Sequence, residues 1–261
     1  MKKILYTGAR SGIAYNVIKN LKYDDYYIYA TVHTIEEEKH LKDLYKEFNN
    51  IECFKLDITD ENDLKKIENL DIDILINNAA IGEGGSLLEI DIDRIRANFE
   101  TNVFSSYRLI QIIFKRMFAK KSGKIIIMSS LASVIPLKFL GAYCGSKASV
   151  SQMAKILEKE VKMLCKDIDV ILIEPGMYHT GFNQVMLDNK YNYMYKNSYF
   201  KNFIPTIIKE EKRLFGFLEK NNFNSITNKI VRAIKTDNPK FVYKAPLFQS
   251  VGAKIYSIFC K

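Results

Sequence analysis

The chain has 261 residues, 48% of them apolar and 26% charged, enough for one domain with a large core, and no apolar run is long enough to span a bilayer. Met1-Lys2-Lys3 enters a strand at once, with no signal peptide, which reads as cytoplasmic; Cys53, Cys144, Cys165 and Cys260 and the three histidines show no ligand spacing, so free thiols and no metal site are expected. The net charge of +9 lies in the last third: residues 1 to 180 hold 25 basic and 25 acidic side chains, residues 181 to 261 hold 14 and 5, and no nucleic-acid motif accompanies the excess.

In chain order, the first expected element is a short apolar strand over 3 to 6, which runs into Thr7-Gly8-Ala9-Arg10-Ser11-Gly12-Ile13-Ala14 and then a helix. Glycines at 8 and 12 permit a tight turn and close approach of the backbone to a pyrophosphate, which the positive end of the following helix attracts. The placement between strand and helix gives that pattern its meaning. Strands over 26 to 32, 51 to 55 and 72 to 77 alternate with helical patterns, a βαβ rhythm that predicts an α/β fold with a parallel sheet covered on both faces. The third of these ends in Asn77-Asn78-Ala79-Ala80, where small and amide residues let a flat ring lie against the backbone; an ordinary strand-to-loop turn also favours Asn.

Further on, Lys124 to Met128 reads as a buried strand ending at Ser129-Ser130, and 142 to 166 reads as a helix. A hydroxyl at a strand's carboxyl end faces the ligand crevice of an open α/β sheet. Tyr143 and Lys147, four residues apart, share one face of that helix. A free tyrosine titrates near pH 10, so work near neutrality asks for a downward shift of about 3 units, roughly 4 kcal/mol. One unit charge at about 4 Å in an effective dielectric near 20 supplies about that much, so Lys147 is expected to lower the Tyr143 pKa. Cys144 beside it reads as a small packing residue.

Thr7-Gly8-x-x-x-Gly12-Ile13-Ala14, Asp57, Asn77-Asn78-Ala79-Ala80, Asn102, Ser130, Tyr143-x-x-x-Lys147 and Pro175-Gly176 with Thr180 together resemble the single-domain short-chain dehydrogenases/reductases, from residue 3 to about 180. The resemblance implies a Rossmann-like doubly wound sheet, a nicotinamide cofactor and hydride transfer to or from a carbonyl or alcohol carbon. By the same resemblance Tyr143 is the general acid in reduction and base in oxidation, Lys147 lowers its pKa and holds the nicotinamide ribose, and Ser130 bonds the substrate oxygen. Asn102 supports a water-linked proton relay, Asp57 with Ile58 receives the adenine, and the loop from Pro175-Gly176 through Tyr178 and Thr180 closes over the nicotinamide carboxamide. Gly8, Ser11, Gly12, Ile13, Asn78 and Ala79 complete the expected cofactor contacts. Ala14 and Ala80 each stand where the family pattern has glycine and add a methyl group near the cofactor.

The second strand ends Ala30-Thr31-Val32-His33-Thr34 with no carboxylate before Glu36, and Arg10 and His33 can reach a 2′-phosphate, so NADP is expected over NAD. Residues 181 to 205 are rich in Phe, Tyr and Met and fall where the family places its substrate lid, taken as 181 to 225. An acyl-chain, sterol-like or other apolar ketone or aldehyde fits that composition; packing against the core or a second subunit, in a homodimer or homotetramer, accounts for the rings equally well. Residues 247 to 261 have one apolar stripe at helical spacing with Lys254 and Lys261, suited to oligomer or core packing or to peripheral contact with an anionic membrane. The expected function is thus an NADP(H)-dependent carbonyl reductase or alcohol dehydrogenase. The alternatives are a non-catalytic NAD(P)-binding sensor or scaffold and a nucleotide-sugar epimerase, the latter disfavoured because a sizeable carboxyl-terminal substrate domain is lacking.

Overall fold

Parallel strands cannot be joined by tight turns, so each strand here is followed by a crossover that carries helix. The computed structural model describes residues 1–10 and 12–259, within which β1 (Lys2–Tyr6), β2 (Tyr26–Val32), β3 (Ile51–Lys55), β4 (Ile74–Asn77), β5 (Gly123–Met128), β6 (Ile168–Pro175) and β7 (Val242–Ala245) form one sheet. Its order is β3-β2-β1-β4-β5-β6-β7, with every pair parallel. The helices are α1 (Ile13–Leu21), α2 (Ile35–Tyr45), α3 (Glu61–Lys65), α4 (Ile92–Phe99), α5 (Ser106–Ala119), α6 (Gly141–Leu164), α7 (Phe182–Asn197), α8 (Ile204–Leu218), α9 (Asn224–Lys235) and α10 (Leu247–Phe259). A π-helical turn, Glu100–Ser105, joins α4 to α5.

Because strand side chains alternate in direction, one apolar strand feeds two cores. Ile4 and Tyr6 of β1 and Ile126 of β5 pack beneath Val17, Ile18 and Leu21 of α1 and Ile226 and Ile230 of α9. Leu5, Ile125 and Ile127 point the other way, against Leu109, Ile110 and Ile113 of α5 and Val150 and Ala154 of α6. All of these side chains are buried, and truncating one such isoleucine to alanine costs about 2–5 kcal/mol. The sheet is therefore covered on both faces, as the rhythm of the sequence predicts.

The winding reverses between β1 and β4, which pair in register from Ile4↔Ile74 to Tyr6↔Ile76. That switch point opens a crevice at the carboxyl ends of the strands, where Gly8, Asn78, Ser130 and Gly176 emerge. The strand expected over 72 to 77 begins at Ile74, and Asp73 just before it accepts from Lys3 N–H (2.8 Å) and Lys120 Nζ (2.6 Å). The helix expected to reach 166 stops at Leu164, where Cys165 turns extended (φ −155°). β7 and α9 were not foreseen at all.

After Gly181 the chain builds a layer of its own. Met194, Ile204 and Ile207 are buried together with Phe139, Tyr191, Tyr193 and Phe200 packed against them. Lys190, fully buried, pairs with Glu211 of α8, and the Tyr191 hydroxyl donates to the same carboxylate. Several of the rings that mark this segment thus serve its own core.

Candidate active site

The glycine turn is shaped for close approach. Gly8 and Gly12 have φ of +65° and +64°, a region that disfavours any residue with a Cβ. A Cβ on Gly8 would lie 3.0 Å from Ala79 Cα, and one on Gly12 would lie 2.7 Å from Thr180 Cβ. Thr7, absent from the expected site, clips the two loops together: its Oγ1 accepts from the N–H groups of Asn78 (2.9 Å) and Ala79 (3.0 Å). The Asn78 amide returns the contact, donating to the carbonyls of Thr7 (2.9 Å) and Gly8 (3.0 Å). Ser11 lies outside the described residues. A backbone cradle that a methyl group would fill, at the amino end of α1, fits a dinucleotide pyrophosphate.

A cleft of about 620 Å³ runs over these strand ends. Gly8, Arg10, Ile13, Asn78, Ala79, Ser130, Tyr143, Lys147, Pro175, Gly176, Tyr178 and Thr180 line it, so twelve of the expected residues meet in one place. Ala14 and Ala80 line it as well, Ala14 being buried in the core below the turn.

At the floor, β5 ends in two serines that point apart. Ser129 Oγ donates to the Lys147 carbonyl (3.0 Å) and pairs with Ser151 Oγ (2.7 Å), which donates to the buried Glu174 (2.9 Å). This network braces α6 from behind; neither Ser151 nor Glu174 carried a local signal in the sequence. Ser130 faces the cleft, where its hydroxyl hydrogen-bonds Tyr143 and accepts from Ala132 N–H (3.1 Å). Lys147 Nζ donates to the Met128 carbonyl (3.1 Å) and stands 6.0 Å from the centre of the Tyr143 ring.

The expected depression of the Tyr143 pKa is not what this geometry gives. Burial raises it to about 12, opposed by the Ser130 hydrogen bond, and burial lowers that of Lys147 to about 8. Removing either charge from water outweighs the attraction between them at this separation. The phenol is a protonated hydrogen-bond donor aimed into the cleft. Cys144 packs: its thiol lies 3.8 Å from the Ile135 carbonyl, and burial pushes its pKa up.

Five expected residues, Gly12, His33, Asp57, Ile58 and Asn102, do not line the cleft. Asn102, within the π-helical turn, accepts from Ile81 N–H (2.9 Å) and donates to Ile81 C=O (2.9 Å) and Ser146 Oγ (3.0 Å), and Ser146 Oγ donates to the Tyr143 carbonyl (2.8 Å). It fastens the loop after β4 to the first turns of α6. Asp57 Oδ1 accepts from Thr59 N–H (2.9 Å) and Oγ1 (2.7 Å), while its other oxygen lies 3.6 Å from His33 Nδ1. Ile58 is buried in the core.

At Arg10 a carboxylate from beyond the end of β2 comes into contact. Glu37 folds back from α2 to accept from Arg10 Nη1 (2.7 Å), from His33 N–H (3.1 Å) and from Thr34 N–H (3.3 Å), the last as half of a capping box. Burial pushes the Glu37 pKa up, but these donors hold it below the usual range.

On the far side, Gln249 of α10 pins the loop after β6. Its Oε1 accepts from Met177 N–H (2.7 Å) and its Nε2 donates to the Leu218 carbonyl (2.7 Å). Phe182 packs 5.6 Å from the Tyr143 ring, and Met186, Leu214, Phe217 and Phe248 continue an apolar wall with no carboxylate. Tyr178 lines the cleft with its hydroxyl tied to Ser225 Oγ (2.7 Å) and its ring stacked on Phe223.

Among the described residues no group of three His, Cys, Asp or Glu side chains is placed to hold a metal, and no helix is long and apolar enough to cross a membrane.

A family model described as short chain dehydrogenase matches residues 2–190. An NADPH-dependent 3-dehydrocapnine reductase from Ornithobacterium rhinotracheale is 29% identical over 69% of this chain and 66% of its own length. A 3-ketodihydrosphingosine reductase from Bacteroides thetaiotaomicron is 28% identical over 69% of the chain and 65% of its own. The chain thus spans about two thirds of these relatives. The solved structure of a short chain dehydrogenase/reductase from Burkholderia phymatum in complex with NAD superposes over 97% of the chain and 92% of its own with a TM-score of 0.81 at 15% identity, which shows the fold. With the glycine turn, the Asn-Asn-Ala loop and the Ser130, Tyr143 and Lys147 floor in one cleft, the chain belongs to the short-chain dehydrogenase/reductase family of NAD(P)-dependent oxidoreductases.

Proposed function

We propose that the protein is an NADP(H)-dependent oxidoreductase that interconverts a carbonyl and an alcohol on an apolar substrate, with Tyr143 as general acid and base. The observation that carries this is the half-buried Tyr143, its hydroxyl bonded to Ser130 beside Lys147 in a cleft whose facing wall is apolar. The nicotinamide cofactor supplies or accepts the hydride when bound. Ser130 and Tyr143 are placed to grip one carbonyl oxygen, and a phenol held protonated is suited to give its proton to the oxygen as charge develops there. Lys147, charged near neutrality, then stabilises the phenolate left behind. The same groups run the step in reverse, and reduction is the direction proposed. The two relatives named for reducing 3-dehydro and 3-keto compounds, one of them NADPH-dependent, are in keeping with it.

Gly8, Gly12, Ile13, Asn78, Ala79, Gly176 and Thr180 would hold the cofactor, with Arg10 and His33 toward a 2′-phosphate and Asp57 near the adenine. Parallel fluorescence titrations with NADPH and NADH test this, NADPH binding being the tighter. Tyr143→Phe is expected to keep that binding and lose about a thousandfold in kcat/KM; full activity in the variant would refute the assigned role. A sensor or scaffold without turnover would need no such floor.

The outer stripe of α10, Leu247, Val251, Ile255 and Ile258, is 48–78% exposed while Gln249 and Ala253 point inward. With Lys254 beside it, this stripe suits the surface of an anionic membrane at the mouth of the cleft. Deleting residues 247 to 261 should then abolish co-sedimentation with anionic vesicles, and unchanged sedimentation would end the idea. Exposed Phe104, Phe118, Ile156 and Met163 on and beside α5 and α6 offer a face for a homodimer or homotetramer.

A further inference from the structure

A second cavity of about 490 Å³ adjoins the cleft, and the two share Leu137, Leu140, Met177, Leu214 and Phe215. All five are apolar, so the partition between the cavities is made of side chains with no hydrogen bonds to break. Beyond it, Ile207, Glu210, Glu211 and Leu214 recur at helical spacing and present one face of α8 to the second cavity, with Phe200 and Phe203 closing the other side. Glu211 is already committed to Lys190 and Tyr191. Lys138, Thr206 and Glu210 are the remaining polar groups there, whereas no carboxylate lines the cleft beside Tyr143. The aromatic residues of 200 to 203 thus acquire a use that their packing alone does not explain.

We infer that the second cavity receives the distal part of an unbranched apolar chain whose carbonyl end sits at Ser130 and Tyr143, so that the substrates are long-chain ketones or the corresponding alcohols. This rests on the carbonyl chemistry proposed above and adds to it where the rest of the substrate goes. The first cavity lies within the ordinary size range of a small-ligand site, about 300–1,000 Å³, and has a cofactor to share it with. A flexible chain can pass between Leu and Met side chains into the second cavity, whereas a rigid polycycle that fills the first gains nothing from it. The cleft offers no carboxylate to a cationic group near the carbonyl, whereas Lys138 and Glu210 at the far end can meet a polar terminus.

The test is NADPH-dependent reduction of methyl n-alkyl ketones from octanone to hexadecanone by the full chain. Once the chain enters the second cavity, each further methylene should raise kcat/KM about fourfold until the space is full. Thr206 is exposed at the edge of that cavity, so Thr206→Trp fills it without disturbing the core. This variant should lose at least about tenfold on the longest ketone while staying within about twofold on octanone. Glu210→Trp, on the same exposed rim and lining only the second cavity, should do the same. Equal effects on short and long ketones, or chain-length profiles unchanged in both variants, would overturn the proposal. Failure of the wild type to reduce any of these ketones would instead remove the carbonyl reading. The cavity is then judged by NADPH-independent fluorescence of a long-chain polyene alcohol: weakened binding in both variants upholds it, and unaltered binding refutes it.

Discussion

Ser130, Tyr143 and Lys147 stand on one wall of the cleft, at the end of β5 and on α6, while Phe182, Met186, Leu214 and Phe248 on the facing wall come from α7, α8 and α10. The two walls are secured differently. On the first, each reactive group sits on an element buried in the main cores and has further partners behind it, in the chain Ser129, Ser151 and Glu174 or in the clamp of Asn102 on Ile81. The second is an apolar surface held down by a few polar bolts: Gln249 on Met177 and Leu218, Glu219 on His179 and Asn183, and Lys190 on Glu211. On the proposed function, chemistry belongs to the first wall and substrate choice to the second. Changes on the first wall should abolish turnover; changes on the second should shift affinity and stability.

Lys147→Met tests the first wall most severely. A drop of at least about a hundredfold in kcat/KM is expected, since the phenolate loses its stabilising charge. Stability should move the other way. The folded pKa of Lys147, about 8, lies below the unfolded value of 10.5, so charging the buried amine costs stability below pH 8 and the cost fades as pH rises from 8 toward 10.5. At pH 7 that cost is up to about 3 kcal/mol. The variant should thus have a higher Tm than wild type at pH 7, and the difference should shrink between pH 8 and 10, below the range where Tyr143 titrates. A difference in Tm that does not change across that window would show that Lys147 is not buried as described.

How much of each wall could be read from sequence follows from how far apart the partners lie. Tyr143 and Lys147 meet because they are one helical turn apart, and Ser130 reaches them because it ends a buried strand; spacing alone specifies both. Gly8 and Gly12 announce a turn because a residue with a Cβ adopts their φ only at a cost. Thr7 bonds Asn78 from 71 positions away and Gln249 bonds Met177 from 72, and nothing near either residue marks the partner. Glu37 is instructive in another way: its capping-box spacing from Thr34 is local and legible, but its grip on Arg10 depends on how two loops approach. The expected fall in the Tyr143 pKa failed because it counted a neighbouring charge and omitted burial. β7 and α9 were missed because no motif falls on them; their apolar residues acquire meaning only against β6 and α1.

Gln249→Ala tests the second wall. It leaves the Met177 N–H and the Leu218 carbonyl without their partner, a loss of about 1–3 kcal/mol, and in a chain of this size Tm should fall by several degrees. Because Met177 follows Pro175-Gly176, the KM for the cofactor should rise while kcat changes little. A fall in kcat with unchanged KM, measured by varying NADPH at saturating ketone, would mean that the two walls are not separable.

The smallest effect, and the finest probe of the boundary between them, is Glu37→Gln. Arg10 is mostly exposed and is held by Glu37 at 2.7 Å, so the carboxylate both orients the guanidinium and competes with any phosphate that approaches it. Exposed pairs of this kind are worth about 0.2–1 kcal/mol, which sets the gain in NADPH affinity at no more than about fivefold. The amide still caps α2 through its oxygen, so Tm should barely change. NADH, which brings no second anion to Arg10, should bind the variant as it binds the wild type. A titration in which both cofactors gain equally would place the effect in the general field of the crevice, and one in which NADPH weakens would mean that Glu37 positions Arg10 more than it competes for it.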